Sequence, residues 1–158
     1  MIEVLIVVTV VAIVASIVVP MMGNTNSTQL RAAARMLVAD LEFAQMASIA
    51  HGEVGRVVVF SIATNTYHIG TQSDPATPIP NPVDGKAYAV QFGSGRAFQL
   101  PDVSISAISL DGDDQLGFGI YGQLDQSAVA TITLAGPAQT VTITLDPTTG
   151  EASVGDVI

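Results

Sequence analysis

The chain has no cysteine, so no disulfide can brace it, and neither thiol chemistry nor a thiolate metal site is open to it. Its stability has to come from packing and hydrogen bonds. Cations are scarce: five Lys and Arg stand against fourteen Asp and Glu, giving a formal net charge of −9. After Leu100 there are eight acids and no Lys or Arg. Nucleic-acid binding, which depends on neutralising phosphates, is therefore not expected of the globular part. Such acidity reads instead as a solvated, mutually repelling surface. His51 and His68 are the only histidines, and neither has a ligand-spaced neighbour. His51 ends a helical segment, where a cation is favoured by the dipole, so helix capping is its expected role. No serine sits in a G-x-S-x-G context, and Gly93-Ser94-Gly95 lacks the Lys and following helix of a phosphate loop. These absences argue against an enzyme, and they call for no cofactor.

What the chain has in abundance is apolar surface at its start. From Val4 to Met22 the run is apolar apart from Thr9 and Ser16, and no charge falls between Glu3 and Arg31. About 20 such residues in a helix match a hydrocarbon core of about 30 Å. The run is apolar on every face, unlike a surface helix, and the two hydroxyls can bond back to the preceding turn. A secretory signal peptide fits poorly, because no basic residue precedes the run and Pro20-Met21-Met22-Gly23 does not read A-x-A. An acid at the centre of a membrane helix costs roughly 2.5–3.5 kcal/mol and less near an end, so Glu3 calls for a partner. Pro20 and Gly23 mark an expected hinge, since Pro removes a helical hydrogen bond and clashes with the turn before it.

Three stretches follow from this pattern: an apolar transmembrane or filament-core helix over 1–25, an amphipathic second helical half over 26–52, and a β-rich globular domain over 53–158. Asn26-Ser27-Thr28 supplies N-cap side chains for a helix over 29–50, and is also a glycosylation sequon, capping being the preferred reading. Leu30, Ala34, Leu37, Leu41, Ala44 and Ser48 follow the 3.6 period, widened by Ala33, Val38 and Ala47. That stripe is expected against a sheet, with Arg31, Arg35, Asp40, Glu42 and Gln45 on other faces. Strands are expected over 56–62, 66–70, 87–92, 103–110, 115–120, 128–134, 139–145 and 151–154, the first two joined by a hairpin at Ala63-Thr64-Asn65. The sixth and seventh alternate apolar residues with Thr or Ala, so each has one buried face. Asp146-Pro147-Thr148-Thr149-Gly150 closes the last hairpin.

Two loops stand out. The stretch carrying Asp74, Pro75, Pro78, Pro80 and Pro82 is too rich in Pro for a ladder and is expected as an exposed contact loop. Asp111, Asp113 and Asp114 cluster on a turn and offer hard oxygen ligands for calcium, but the spacing is not that of an EF-hand, and an acidic turn is the preferred reading.

Ile2-Glu3-Val4-Leu5-Ile6-Val7-Val8, with the β-branched and Ala-rich run to Pro20, resembles the N-terminal segment of type IV pilins and type II secretion pseudopilins. The segment from Leu30 to Ala50, passing through His51-Gly52 to Arg56-Val57-Val58-Val59-Phe60, resembles the H-type minor pseudopilins. The resemblance implies an α+β, pilin-like fold: a long N-terminal helix, kinked near Pro20, packed on a mostly antiparallel β-sheet domain. It implies a structural subunit of a type IV pilus-like filament, or alternatively a minor pseudopilin of a type II secretion system; a membrane-anchored extracellular binding module is a third reading.

The acid stands fifth in the mature family chain and third here, which the resemblance accounts for by a leader and two mature residues ahead of Met1, or by a shortened N-terminus. It further implies cleavage by a prepilin peptidase, methylation of the new N-terminus, and an inner-membrane assembly platform as partner. The subunit would be stored in the membrane and then enter a helical homopolymer, extracellular for a pilin and periplasmic for a pseudopilin. Assembly would run through Ile2, Glu3, Val4, Leu5 and Pro20, with the Glu3 carboxylate meeting the N-terminal amine of a neighbouring copy. The disulfide-closed C-terminal loop of many major pilins cannot form without cysteine.

Overall fold

A computed structural model describes residues 2–21 and 25–158, with side chains described for 2–13 and 26–158. Helix α1 is Ile2–Met21 and helix α2 is Thr25–Ala50. The helix at Ile2–Met21 runs through Pro20. Of the expected hinge, Gly23 lies outside the described residues. Helix α2 starts earlier than the sequence suggested, which puts Asn26, Ser27 and Thr28 inside its first turn. Small polar side chains that serve as caps are also tolerated within a first turn, where the main-chain N–H groups lack helical partners.

The strands are β1 Arg56–Ser61, β2 Thr66–Thr71, β3 Ala89–Gln91, β4 Ser104–Ser109, β5 Gln115–Phe118, β6 Ala130–Ala135, β7 Thr140–Leu145 and β8 Ala152–Val154. Among the described residues they form two four-stranded sheets, ordered β3-β2-β1-β5 and β4-β6-β7-β8, and every neighbouring pair is antiparallel. The architecture is α+β, a long N-terminal helical stretch on antiparallel sheets, as expected from the sequence.

Helix α2 holds the two sheets together. Its buried stripe is Leu30, Ala33, Ala34, Leu37, Leu41, Ala44 and Ser48, and it meets β1 and β5 of the first sheet and β6, β7 and β8 of the second. The alanines let the helix sit close, and each fully buried Leu is worth about 1.5–3 kcal/mol over exposure. Across from it lie Val58, Phe60, Tyr67 and Ile69 from one sheet and Ile132, Leu134, Val141 and Ile143 from the other. In β6 and β7 burial alternates strictly, with the threonines on the wetter side. Asn65, at φ 54 in the β1–β2 hairpin, ties the sheets from the far side. Its amide donates to the Val103 carbonyl at 2.9 Å and its Oδ1 accepts from the Ile105 N–H at 2.8 Å.

Candidate assembly surface

Every described side chain of α1, from Ile2 to Ile13, is exposed, Ile2 at 77% and Leu5 at 68%. Thr9 donates its hydroxyl to the Leu5 carbonyl at 2.7 Å, which hides its polarity within the helix as its placement predicted. Ile2, Val4 and Leu5 thus surround the exposed Glu3 with apolar surface. At about 25 cal/mol per Å² such a face is unfavourable in water and has to be covered by something apolar. Among the described residues no helix is long and apolar enough to cross a membrane. The expected span falls partly on side chains outside the described set.

The exposure continues along α2. Thr28, Arg31, Ala32, Arg35, Ala39, Glu42, Met46 and Ile49 are all exposed at helical spacing, opposite the stripe that grips the sheets. That grip is reinforced at the C-terminal end. Gln45 donates from Nε2 to the carbonyls of Gly122 at 2.9 Å and Thr149 at 2.7 Å, so it faces the loops rather than solvent. Ser48 donates to the Phe118 carbonyl at 2.6 Å and accepts from the Arg56 N–H at 3.2 Å. His51 bonds the Ala47 carbonyl through Nδ1 at 3.0 Å, which is the helix-end role anticipated for it. His68 bonds the Pro75 carbonyl through Nε2 at 2.8 Å.

Asp40 corrects the sequence reading. It is 3% exposed rather than on an outer face. Its carboxylate accepts from Tyr67 Oη at 2.6 Å, from Tyr88 Oη at 2.9 Å and from Arg96 at 2.5 Å. Arg96 also lies over the Tyr88 ring at 5.2 Å, and Phe43 stacks on that ring at 5.1 Å. Burial, reinforced by the Asp40 charge and hydrogen bond, holds the Tyr67 phenol well above the usual range. Burial also raises that of Tyr88, with Asp40 adding to it and Arg96 opposing it. Burial works against the Arg96 cation, but its hydrogen bonds to Tyr88 and Asp40 and the Asp40 charge outweigh this and raise its pKa. The helical period held a signal for Asp40, which lies three residues after buried Leu37 and four before buried Ala44. What it could not show was the set of donors that makes burial of the charge tolerable.

The Pro-rich loop is exposed at Asp74, Pro80 and Pro82 and partly buried at Pro75 and Pro78. It is not free of pairing, contrary to the expectation from Pro content: isolated bridges join Thr71 to Asp74 and Pro80 to Ala87. The Ile79 N–H between the two prolines donates to the Ile69 carbonyl at 2.8 Å, so the segment is pinned beside β2 through its non-Pro residues. Together with Phe43, Met46 and Ala50 of α2, Ile79, Pro80 and Pro82 line a groove of about 590 Å³.

In the acidic turn, Asp111 sits at φ 50 and accepts from the Ser127 N–H, which holds its carboxyl below the usual range. Asp113 accepts from the Gln115 N–H at 3.0 Å. Among the described residues no three acids or histidines are grouped to hold a metal ion, Asp111, Asp113 and Asp114 included.

No protein-family model matches the chain, and no curated protein matches it in sequence. Its fold is nonetheless shared with solved structures. Two crystal forms of the type IV minor pilin FimU of Pseudomonas aeruginosa (strain PAO1) superpose on it with TM-scores of 0.55 and 0.58, both at 13% identity. The first covers 80% of this chain and 93% of FimU, the second 82% and 90%. The fold is therefore type IV pilin-like, as the N-terminal residues and the helix-to-strand pattern suggested.

Proposed function

We propose that this chain is a structural subunit of a type IV pilus-like filament, assembled through α1 and the outer face of α2. The observation that carries the reading is a helix whose described side chains, Ile2 to Ile13, are all exposed and nearly all apolar, attached to a pilin-like fold. Such a helix leaving a bilayer must bury itself again, and a bundle of sister helices does so without any other partner. The membrane before assembly, a prepilin peptidase, an inner-membrane platform and the extracellular end state all belong to this proposal.

Glu3 is the one charge carried into the bundle by the described part of α1. Pairing with the N-terminal amine of a neighbouring copy removes two charges from low dielectric at once, where attraction is strong enough to offset much of the desolvation. Within this reading the chain's work is mechanical, and neither catalysis nor a cofactor enters it.

A minor pseudopilin of a type II secretion system is the second reading; it keeps the same helix and differs in abundance and location. Shearing cells, pelleting the released fibres, imaging them by electron microscopy and quantifying the chain by mass spectrometry tests the proposal. A chain that dominates the fibres supports a major filament subunit. A trace amount, or none, moves the pseudopilin to first place.

A further inference from the structure

The groove of about 590 Å³ between the end of α2 and the Pro-rich loop is walled by Phe43 and Met46 on one side and by Ile79, Pro80 and Pro82 on the other. Phe43 and Ala50 both line it seven residues apart, so it runs for about 10 Å along the helix. Its loop wall offers carbon and no backbone donor. Pro80 and Pro82 have no N–H, the Ile79 N–H donates to the Ile69 carbonyl at 2.8 Å, and the Ile79 carbonyl accepts from the Tyr88 N–H at 2.8 Å. An extended peptide would find no N–H there to pair with. The exception to this apolar lining is Arg56, at the start of β1. Its Nε is buried without a hydrogen-bond partner, and among the described residues the single ion pair is that of Arg96 with Asp40. The C-terminal end of α2 favours a cation in this place but supplies no acceptor to the guanidinium. His51, also on the lining, spends Nδ1 on the Ala47 carbonyl, which leaves Arg56 as the charge available to a ligand.

We propose that this groove binds a single-chain amphipathic carboxylate, a free fatty acid of medium length. Its alkyl chain lies along Phe43, Met46, Ile79 and the two prolines, and its carboxylate meets the Arg56 guanidinium. Apolar walls with one placed charge, in a cleft of a few hundred Å³, are the usual form of a site for such a ligand. The planar fork of an arginine matches the two oxygens of a carboxylate, and the anion supplies an acceptor to a donor that has none. A chain of net charge −9 repels an anion over most of its surface, so preference for a carboxylate has to come from this one cation. The site adds a small-molecule activity to the filament reading and does not depend on it.

The test uses the full-length chain, unassembled, in a detergent with a neutral headgroup, and decanoate carrying a diazirine at the far end of its chain. Illumination and mass spectrometry of the digested chain are expected to find saturable label on Phe43, Met46 or the 79–82 segment. Unlabelled decanoate should displace it, while decanol, which has the chain without the charge, should not. Helix α1, coated by detergent, takes up label without saturation and serves as the internal reference. R56Q should lower the groove label at least about tenfold relative to α1, the loss expected for one charge-assisted hydrogen bond. M46E covers failure of R56Q to fold: Met46 is 61% exposed, and an acid there should repel the carboxylate and remove the label as well. Displacement by decanol as effective as by decanoate, label confined to α1, or groove label unchanged in a folded R56Q or in M46E overturns the site. Displacement by the tripeptide of leucine at lower concentration than by decanoate overturns the fatty acid in favour of a peptide C-terminus.

Discussion

Tyr67 on β2 donates its phenolic hydrogen to Asp40 on α2 at 2.6 Å, with both residues buried. This joins the helix to the first sheet through one polar contact inside an otherwise apolar interface. Tyr88 and Arg96 complete the shell around the carboxylate. Asp40→Ala leaves two hydroxyls and a guanidinium without their acceptor, so an equilibrium loss of about 3 kcal/mol is expected, less than for a fully buried pair because Arg96 is partly exposed. Tyr67→Phe removes one donor and keeps the ring, for about 1–2 kcal/mol. Urea unfolding of the detergent-solubilised chain measures both. A loss no larger for D40A than for Y67F would contradict the shared role of the carboxylate.

The same cluster sets an alkaline limit. The folded Tyr67 phenol titrates above its unfolded value of 10.0, mainly because of burial and then because of the Asp40 charge. Above that value the unfolded chain binds fewer protons than the folded one, so stability falls as pH rises. The contribution is complete below pH 10 and is lost on the way up to the folded pKa. Tyr67→Phe should flatten the fall above pH 10 in a series of urea midpoints, and an unchanged slope would remove Tyr67 from the account.

An acid limit arises elsewhere. The N–H groups of Thr149 and Thr148 hold the Asp146 carboxyl below its ordinary 3.8, and the Ser127 N–H does the same for Asp111. A depressed carboxyl stabilises the fold above its unfolded pKa, and the benefit disappears as pH falls through the folded one. Melting temperature should therefore drop as pH is lowered from about 4, and Asp146→Asn should shrink that drop. Both carboxylates are exposed, so the change is expected to be small.

Much of this fold is legible along the chain because it is written in local periods. The α2 stripe from Leu30 to Ser48, the alternation of β6 and β7, and the 63–65 hairpin all follow from neighbours a few residues apart. What stayed hidden depends on long-range partners. Asp40 looks like a solvated acid until residues 27, 48 and 56 positions away converge on it. Gln45 reads as an outward side chain until Gly122 and Thr149 arrive from positions 77 and 104 residues away. The division into two sheets is hidden for the same reason, since β5 leaves its sequence neighbours to pair with β1.

Gln45 clamps two loops to the end of α2, and Gly150 makes the clamp sterically feasible. Gly150 has φ 70, and a Cβ there would run into the Gly122 carbonyl oxygen and Gln45 Nε2. Gly150→Ala combines left-handed backbone strain with that collision and should cost about 2 kcal/mol or more. Gln45→Ala loses two hydrogen bonds and should cost about 1–2 kcal/mol. Because both act on one contact, the double variant should cost less than the sum of the singles. Additive losses in a double-mutant cycle would separate the two residues.

Glu3 offers the sharpest link between sequence and assembly, because it is the single charge among the exposed, largely apolar side chains of α1. If it is neutralised by a neighbour's amine during assembly, Glu3→Gln keeps the shape of the side chain and removes the attraction, while Glu3→Ala removes both. Neither change makes α1 less apolar, so both variants should remain in the membrane fraction at normal levels. Both should release far less sheared fibre, with Glu3→Gln no better than Glu3→Ala if charge rather than packing is what matters. Fractionation and fibre pelleting of the same cultures read the two effects separately. Normal fibre from Glu3→Gln would remove the charge pairing while leaving apolar burial of α1 as the driving force, and loss of either variant from the membrane would place Glu3 in insertion instead of assembly.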